Sequence, residues 1–299
     1  MNNVATLVVK TQSQDRVASG VGRVKELLST LGGRFGKVDW LARGEAVDIF
    51  FDGCSPHEVQ SRLGETLAGL EIDALAQSGN LRKKQMLAAD MDITIIEIEC
   101  IDELAGAMNV RDKIAQITEA AMRGEIDFAE ALKARVRLLA GLDFGEMERL
   151  RAEKLTYSPG ARQLVATMSG NGAVTLLVSG SFTFFAEYVA DELGFGEARA
   201  NSLEIRDGKL TGRLSGKILG AREKRQALAE VREEAGLEPS AVLAVGDGAN
   251  DLLMLAEAGL GIAYKGKPAT AEAADGRIDH TGLETLLYYQ GYRRSEFIG

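Results

Sequence analysis

Over the first 80 residues apolar positions alternate between two periods. Val4 to Val9, Phe35 to Leu41, Val47 to Phe51 and Leu70 to Ala74 have the short, β-branched and aromatic-rich character of strands. Between them Val17, Val21, Val24, Leu27, Leu28 and Leu31 recur every three or four residues, as one face of a helix does, and Gly32-Gly33 ends that helix. A second helix opens near Ser55-Pro56. The order βαββαβ predicts an antiparallel sheet with two helices on one face. Gln77 to Lys84 is polar, holds Gly79 and three basic residues, and reads as a linker, so residues 1–80 form one domain and 81–299 a second.

From residue 85 apolar runs are followed directly by helical patterns, the signature of a parallel α/β sheet. Met86 to Ala89 runs into Asp90, Val174 to Val178 into Ser179, and Ala241 to Val245 into Gly246. Ligands of such sheets bind beyond the carboxyl ends of strands, so these three tips converge. The stretch from Glu99 to about Leu150 is helical in pattern and too long for a crossover alone, which predicts a small helical cap inserted at about 100–157. Leu203 to Leu214, centred on Asp207-Gly208, reads as a hairpin.

Composition narrows the chemistry. The 299 residues carry 35 Lys and Arg against 44 Asp and Glu, a formal charge of −9 that opposes general attraction to nucleic acid or an anionic membrane. No apolar run approaches the ~18 residues of a membrane span, and the start has no basic leader. The two cysteines, Cys54 and Cys100, make no disulfide framework, so an intracellular, cytoplasmic protein is expected. With only His57 and His280 present, catalysis has to rest on carboxylates, Lys, Arg and hydroxyls.

Those groups gather at the strand tips. Asp90-Met91-Asp92-Ile93-Thr94 sets two carboxylates two residues apart, a nucleophile and a neighbouring acid/base if their repulsion is neutralised. A D-x-D-x-[ST] string alone is weak, and its plain reading is a solvated turn. Gly246-Asp247-Gly248-Ala249-Asn250-Asp251 looks superficially like a dinucleotide loop, but its carboxylates would repel pyrophosphate. As hard oxygen ligands they suit Mg²⁺. Ser179-Gly180 at a third tip and Lys224 on a helix could cradle and neutralise a phosphate. Singly each is ordinary; in this order they form a set for phosphoryl transfer.

That order, D-x-D-x-T, then Ser at a strand end, then Lys, then G-D-x-x-x-D, resembles the haloacid dehalogenase superfamily over about residues 85 to 290. Glu97 to Ala105, Ile117 to Leu139 and Val245 to Asp251 resemble its phosphoserine phosphatase family. The resemblance implies a Rossmann-like core with a helical cap. It also implies Mg²⁺-dependent hydrolysis of O-phospho-L-serine, a small-molecule substrate, through an aspartyl phosphate, the last step of phosphorylated serine biosynthesis. It assigns Asp90 as nucleophile and Asp92 as acid/base, with Asp90, Asp92, Asp247 and Asp251 around the metal. Ser179, Gly180, Lys224 and Asn250 fall on the phosphate side, Glu99 on the substrate ammonium, Arg135 on its carboxylate, and Met122 and Phe128 on the cap side. A zwitterion needs one anion and one cation across its α-carbon, and Glu99 with Arg135 could supply them; outside that context both would be exposed helix charges.

Two residues depart from the family pattern. Ile93 stands where D-x-D-S-T has a hydroxyl, and Ser181 where glycine is common, narrowing the site or adding a hydrogen bond. The first domain resembles ACT-like, ferredoxin-like regulatory folds in topology, with Ala18 to Gly22 the nearest candidate for an effector turn; it could also form a homodimer. The competing functions are a related capped phosphatase or phosphotransferase, and a catalytically weak amino-acid sensor.

Overall fold

A computed structural model describes residues 2–10 and 12–299, without the side chain of Met122. The amino-terminal region consists of β1 (Asn3–Val9), α1 (Gln14–Thr30), β2 (Arg34–Ala42), β3 (Ala46–Asp52), α2 (Pro56–Thr66) and β4 (Ile72–Ser78). Its antiparallel sheet has the order β2-β3-β1-β4, with Ala5 opposite both Ile49 and Ala76. Strand alternation gives the sheet two destinations. Leu7, Val9, Ile49 and Phe51 pack under α1 and α2, while Val8 and Ala46 join the core of the second region. Ser13 caps α1 through the N–H of Arg16, and Ser55 with Glu58 forms a reciprocal cap on α2, whose first residue is Pro56.

Two expectations need correction. The proposed effector turn, Ala18 to Gly22, lies inside α1, where Gly20 lets the helix approach the sheet; a Cβ there would sit 2.7 Å from Ile72. The polar stretch Gln77 to Lys84 is not a free linker. β4 runs to Ser78, paired with Asn3, because β1 still offers unpaired backbone groups there. Arg82 then folds back to donate to both oxygens of Asp48, at 2.7 and 3.0 Å, and to the carbonyls of Tyr288 and Tyr289. Asp73 on β4 accepts from the N–H groups of Asp279, His280 and Thr281 and from the Thr281 hydroxyl.

The second region begins with β5 (Met86–Ala89) and the cap helices α3 (Cys100–Ala107), α4 (Arg111–Met122), α5 (Phe128–Arg137) and α6 (Phe144–Lys154). It continues through α7 (Ala161–Gly170), β6 (Val174–Phe182), α8 (Thr183–Leu193), β7 (Glu197–Arg206), β8 (Lys209–Ser215) and α9 (Ala221–Glu234). β9 (Val242–Gly246), β10 (Leu260–Tyr264) and β11 (Gly276–Ile278) complete the sheet, ordered β11-β10-β9-β5-β6-β7-β8 and parallel except for the β7–β8 hairpin. β5 lies at its centre. Leu87 and Ala89 belong to one core and Met86 and Ala88 to the other, so both faces are covered, as continuous apolar strands require.

The cap leaves and rejoins the core through a narrow neck, where the N–H of Glu97 donates to Thr156 O and that of Ser158 to Ile95 O, both at 3.0 Å. The hairpin turns at Asp207 (φ 51°) and Gly208 (φ 73°), and its tip exchanges backbone bonds with the loop between α5 and α6. No helix among the described residues is long and apolar enough to cross a membrane.

Candidate active site

The three strand tips meet. β5 delivers Asp90, whose N–H donates to Val245 O at the end of β9. The chain then wraps tightly, the N–H groups of Thr94, Ile95 and Ile96 all pointing at Met91 O, and this wrap puts Ile93 in the left-handed region at φ 57°. β9 delivers Asp247, and the short turn after it brings Asp251 back against Gly246. Only glycine fits there, since a Cβ would lie 2.5 Å from the Asp251 carboxylate.

Asp90, Asp247 and Asp251 present oxygens within 4.8 Å of one another, all buried. Lys224, on the buried face of α9 and 0% exposed, donates to Asp90 and, at 2.7 Å, to Asp251. Burial pulls the lysine's pKa down, but the two carboxylates more than offset this and leave it raised. Burial and Asp251 push Asp90 well up against the pull of Lys224, and burial with Asp251 raises Asp247. Three carboxylates thus share one buried ammonium. That surplus of hard anionic oxygens fits a divalent cation.

The Asp92 side chain is set apart from this cluster, and its carboxylate is not among the oxygens that gather there. Its Oδ2 accepts from the N–H of Cys100, the first residue of α3, at 3.0 Å, and its Oδ1 is buried without a partner among the described residues. Burial raises it to about 6. Ser179 Oγ accepts from the N–H of Ser181 at 3.0 Å, which leaves the Ser179 hydroxyl hydrogen free to donate elsewhere.

A cavity of about 140 Å³ opens above these groups, lined by Asp90, Asp92, Asp247, Ser179, Gly180 and Asn250 from the core and by Glu99, Phe128 and Arg135 from the cap side. Phe128 at the start of α5 closes on the core, its ring 3.3 Å from where a Cβ on Gly180 would stand. Burial raises Glu99 to about 7 and lowers Arg135, whose Nε has no partner among the described residues. Asn250 lies 3.4 Å from Asp251. Lys224 and Asp251 sit beneath the cavity rather than on its wall. The side chain of Met122 lies outside the described residues.

The sequence reading missed Lys267 on the cavity wall, 3.9 Å from Asp247. The signal for Lys267 was present: Leu260 to Tyr264 is a fourth apolar run ending in a glycine-containing turn.

A parallel α/β core with a nucleophile-bearing central strand and an inserted helical cap defines a capped hydrolase. The family model for haloacid dehalogenase-like hydrolases matches residues 87–256. A phosphoserine phosphatase of Polaromonas sp. is 44% identical over 228 residues, which span 75% of this chain and 97% of that protein. A solved haloacid dehalogenase family hydrolase from Salmonella enterica superposes with TM-score 0.84 at 28% identity, over 99% of this chain and 100% of its own. A substrate-bound phosphoserine phosphatase complex gives TM-score 0.65 at 35% identity, over 69% of this chain and 98% of its own. The chain belongs to the haloacid dehalogenase-like hydrolases, in the phosphoserine phosphatase family.

Proposed function

We propose that the protein hydrolyses O-phospho-L-serine to L-serine and phosphate, with Mg²⁺ as its divalent ion. The observation that carries this reading is one cavity holding both halves of the recognition problem. Asp90, Ser179 and Asp247 stand where a phosphate would lie, with Glu99 and Arg135 opposite.

Asp90 attacks phosphorus in line, and the bond to the serine oxygen breaks as an aspartyl phosphate forms. Asp92, kept partly protonated near neutrality by burial, gives its proton to that departing oxygen. The same carboxylate, now charged, takes a proton from the water that hydrolyses the acyl phosphate and so returns to its starting state. Lys224 holds Asp90 in place and offsets the repulsion between carboxylate and phosphate. Ser179 donates its free hydrogen to a phosphate oxygen. A bound divalent ion would be held by Asp90, Asp247 and Asp251 and would supply further positive charge at the phosphoryl oxygens. Glu99 takes the substrate ammonium and Arg135 its carboxylate, while Phe128 and the cap exclude water during attack.

The reading places the reaction in the cytoplasm as the last step of phosphorylated serine synthesis, and allows two copies to associate as a homodimer. The test is phosphate release from O-phospho-L-serine with and without Mg²⁺, beside other phosphomonoesters, with Asp90→Asn as control. Metal-dependent preference for phosphoserine that vanishes in the variant is expected. Turnover of another ester with phosphoserine untouched sinks the substrate and leaves the chemistry.

A further inference from the structure

Two buried polar atoms on the wall of the same cavity lack a partner among the described residues, Asp92 Oδ1 and Ser181 Oγ. Buried polar atoms are nearly always hydrogen-bonded, so neighbouring orphans call for an account. The Ser181 side chain is not needed for the phosphate cradle, because the bond to Ser179 uses its backbone N–H. Its hydroxyl, in a residue only 9% exposed, lies beside the Asp92 carboxylate and Cys100. The two orphans are chemically complementary. A carboxylate oxygen can accept, and a hydroxyl has one hydrogen to give and turns freely about its C–O bond.

The other oxygen of Asp92 is already fixed by the N–H of Cys100. A carboxylate held at one oxygen still swings about that contact; held at both, its plane is set. We propose that Ser181 is a positioning residue for the acid/base carboxylate. Its hydroxyl donates to Asp92 Oδ1, and together with the Cys100 N–H it aims Oδ1 at the oxygen that leaves phosphorus. Oδ1 has lone pairs enough to accept from Ser181 and still pass its proton to the leaving group. One donor comes from strand β6 and the other from the first turn of cap helix α3, so the carboxylate is aligned only while α3 is seated on the core.

This inference rests on the assignment of Asp92 as acid/base, and a double-mutant cycle separates the two. kcat and KM for O-phospho-L-serine would be measured with Mg²⁺ for the wild type, Asp92→Asn, Ser181→Ala, the double variant and Ser181→Thr. Loss of one aligning hydrogen bond is expected to lower kcat about tenfold in Ser181→Ala with KM within about twofold, and Thr restores most of it. The double variant should be no slower than Asp92→Asn, since Ser181 acts only through that carboxylate. An unchanged kcat in Ser181→Ala, strictly multiplicative losses in the double variant, or a Thr variant as slow as Ala overturns the inference. A gain on O-phospho-L-threonine in Ser181→Gly with kcat on phosphoserine intact also overturns it, because the side chain would then only limit pocket size. Wild-type kcat in Asp92→Asn removes the acid assignment itself and this inference with it.

Discussion

Lys224 donates to Asp251 across 2.7 Å, and solvent reaches neither side chain to any extent. The same ammonium also holds Asp90, so one helix residue joins the tips of β5 and β9. A fully buried charge persists only if paired, and here the pairing also serves chemistry, because it opposes the burial and the Asp251 charge that push the nucleophilic carboxylate up.

Lys224→Met should therefore fail twice. Removing the cation at the phosphoryl group is expected to lower kcat by about 10³ or more. Asp90 and Asp251 would remain in the interior without their shared counter-ion, a loss of about 3–5 kcal/mol at neutral pH. Thermal unfolding with and without Mg²⁺ checks the second part: the ion should restore much of the stability and little of the rate. A variant within tenfold of wild-type kcat would remove Lys224 from the machinery.

Glu99 gives the pH dependence of substrate capture. Burial, then Asp92, Asp247 and Asp102, raise it to about 7, with Lys267 opposing. Only its charged form attracts an ammonium, so kcat/KM for phosphoserine should rise with pH through about 7, the value in the free enzyme. For stability the sign is reversed. A carboxylate raised on folding stabilises at low pH, and that contribution is lost as pH climbs through its folded value. Glu99→Gln should remove the rising limb and weaken KM by roughly ten- to a hundredfold, the worth of a charged hydrogen bond. A rising limb unchanged in the variant would assign it to another group.

How much was legible before the structure depends on the physics of each feature. Strand tips were legible because a buried strand must be apolar throughout and must end in groups able to meet a ligand; Asp90, Ser179 and Asp247 follow that rule. Fold class followed from periodicity for the same reason. Arg82 was not legible. In sequence it lies in a polar run, and only tertiary folding brings it to Asp48, a residue that itself looks like an exposed strand position. The contact of Asp92 with the start of α3 was likewise hidden, since D-x-D spacing cannot say which carboxylate turns toward a helix start. Lys267 obeys the same rule as the other tips, following the apolar run Leu260 to Tyr264.

The Arg82–Asp48 pair makes a clean stability test, being no part of the cavity lining and nearly dry, with side chains 10% and 3% exposed. Arg82 also donates to Thr6 and to the carbonyls of Tyr288 and Tyr289, so Arg82→Met leaves a buried carboxylate without its counter-ion and three other acceptors with one donor fewer. The expected cost is about 3–5 kcal/mol, seen as a lowered denaturation midpoint, with kcat within about twofold of wild type. Replacing both members, Arg82→Met with Asp48→Leu, should recover part of the loss, because the uncompensated charge goes too. No recovery would mean that the arginine acts through the carbonyls.

Ile93 offers the reverse experiment, a substitution expected to stabilise. A β-branched side chain at φ 57° crowds its own backbone, at about 1–2 kcal/mol, and the three N–H groups converging on Met91 O hold the residue there. Asn tolerates the left-handed region, whereas Val keeps the branch and gives up a methylene. Ile93 is only half-buried, so Ile93→Asn sacrifices less apolar burial than the same change would at a core isoleucine. Thermal unfolding should rank Asn at or above the wild type and Val below it. If Asn falls well below Val, the side chain's packing outweighs the strain in its backbone, and isoleucine here is held by its neighbours rather than tolerated by them.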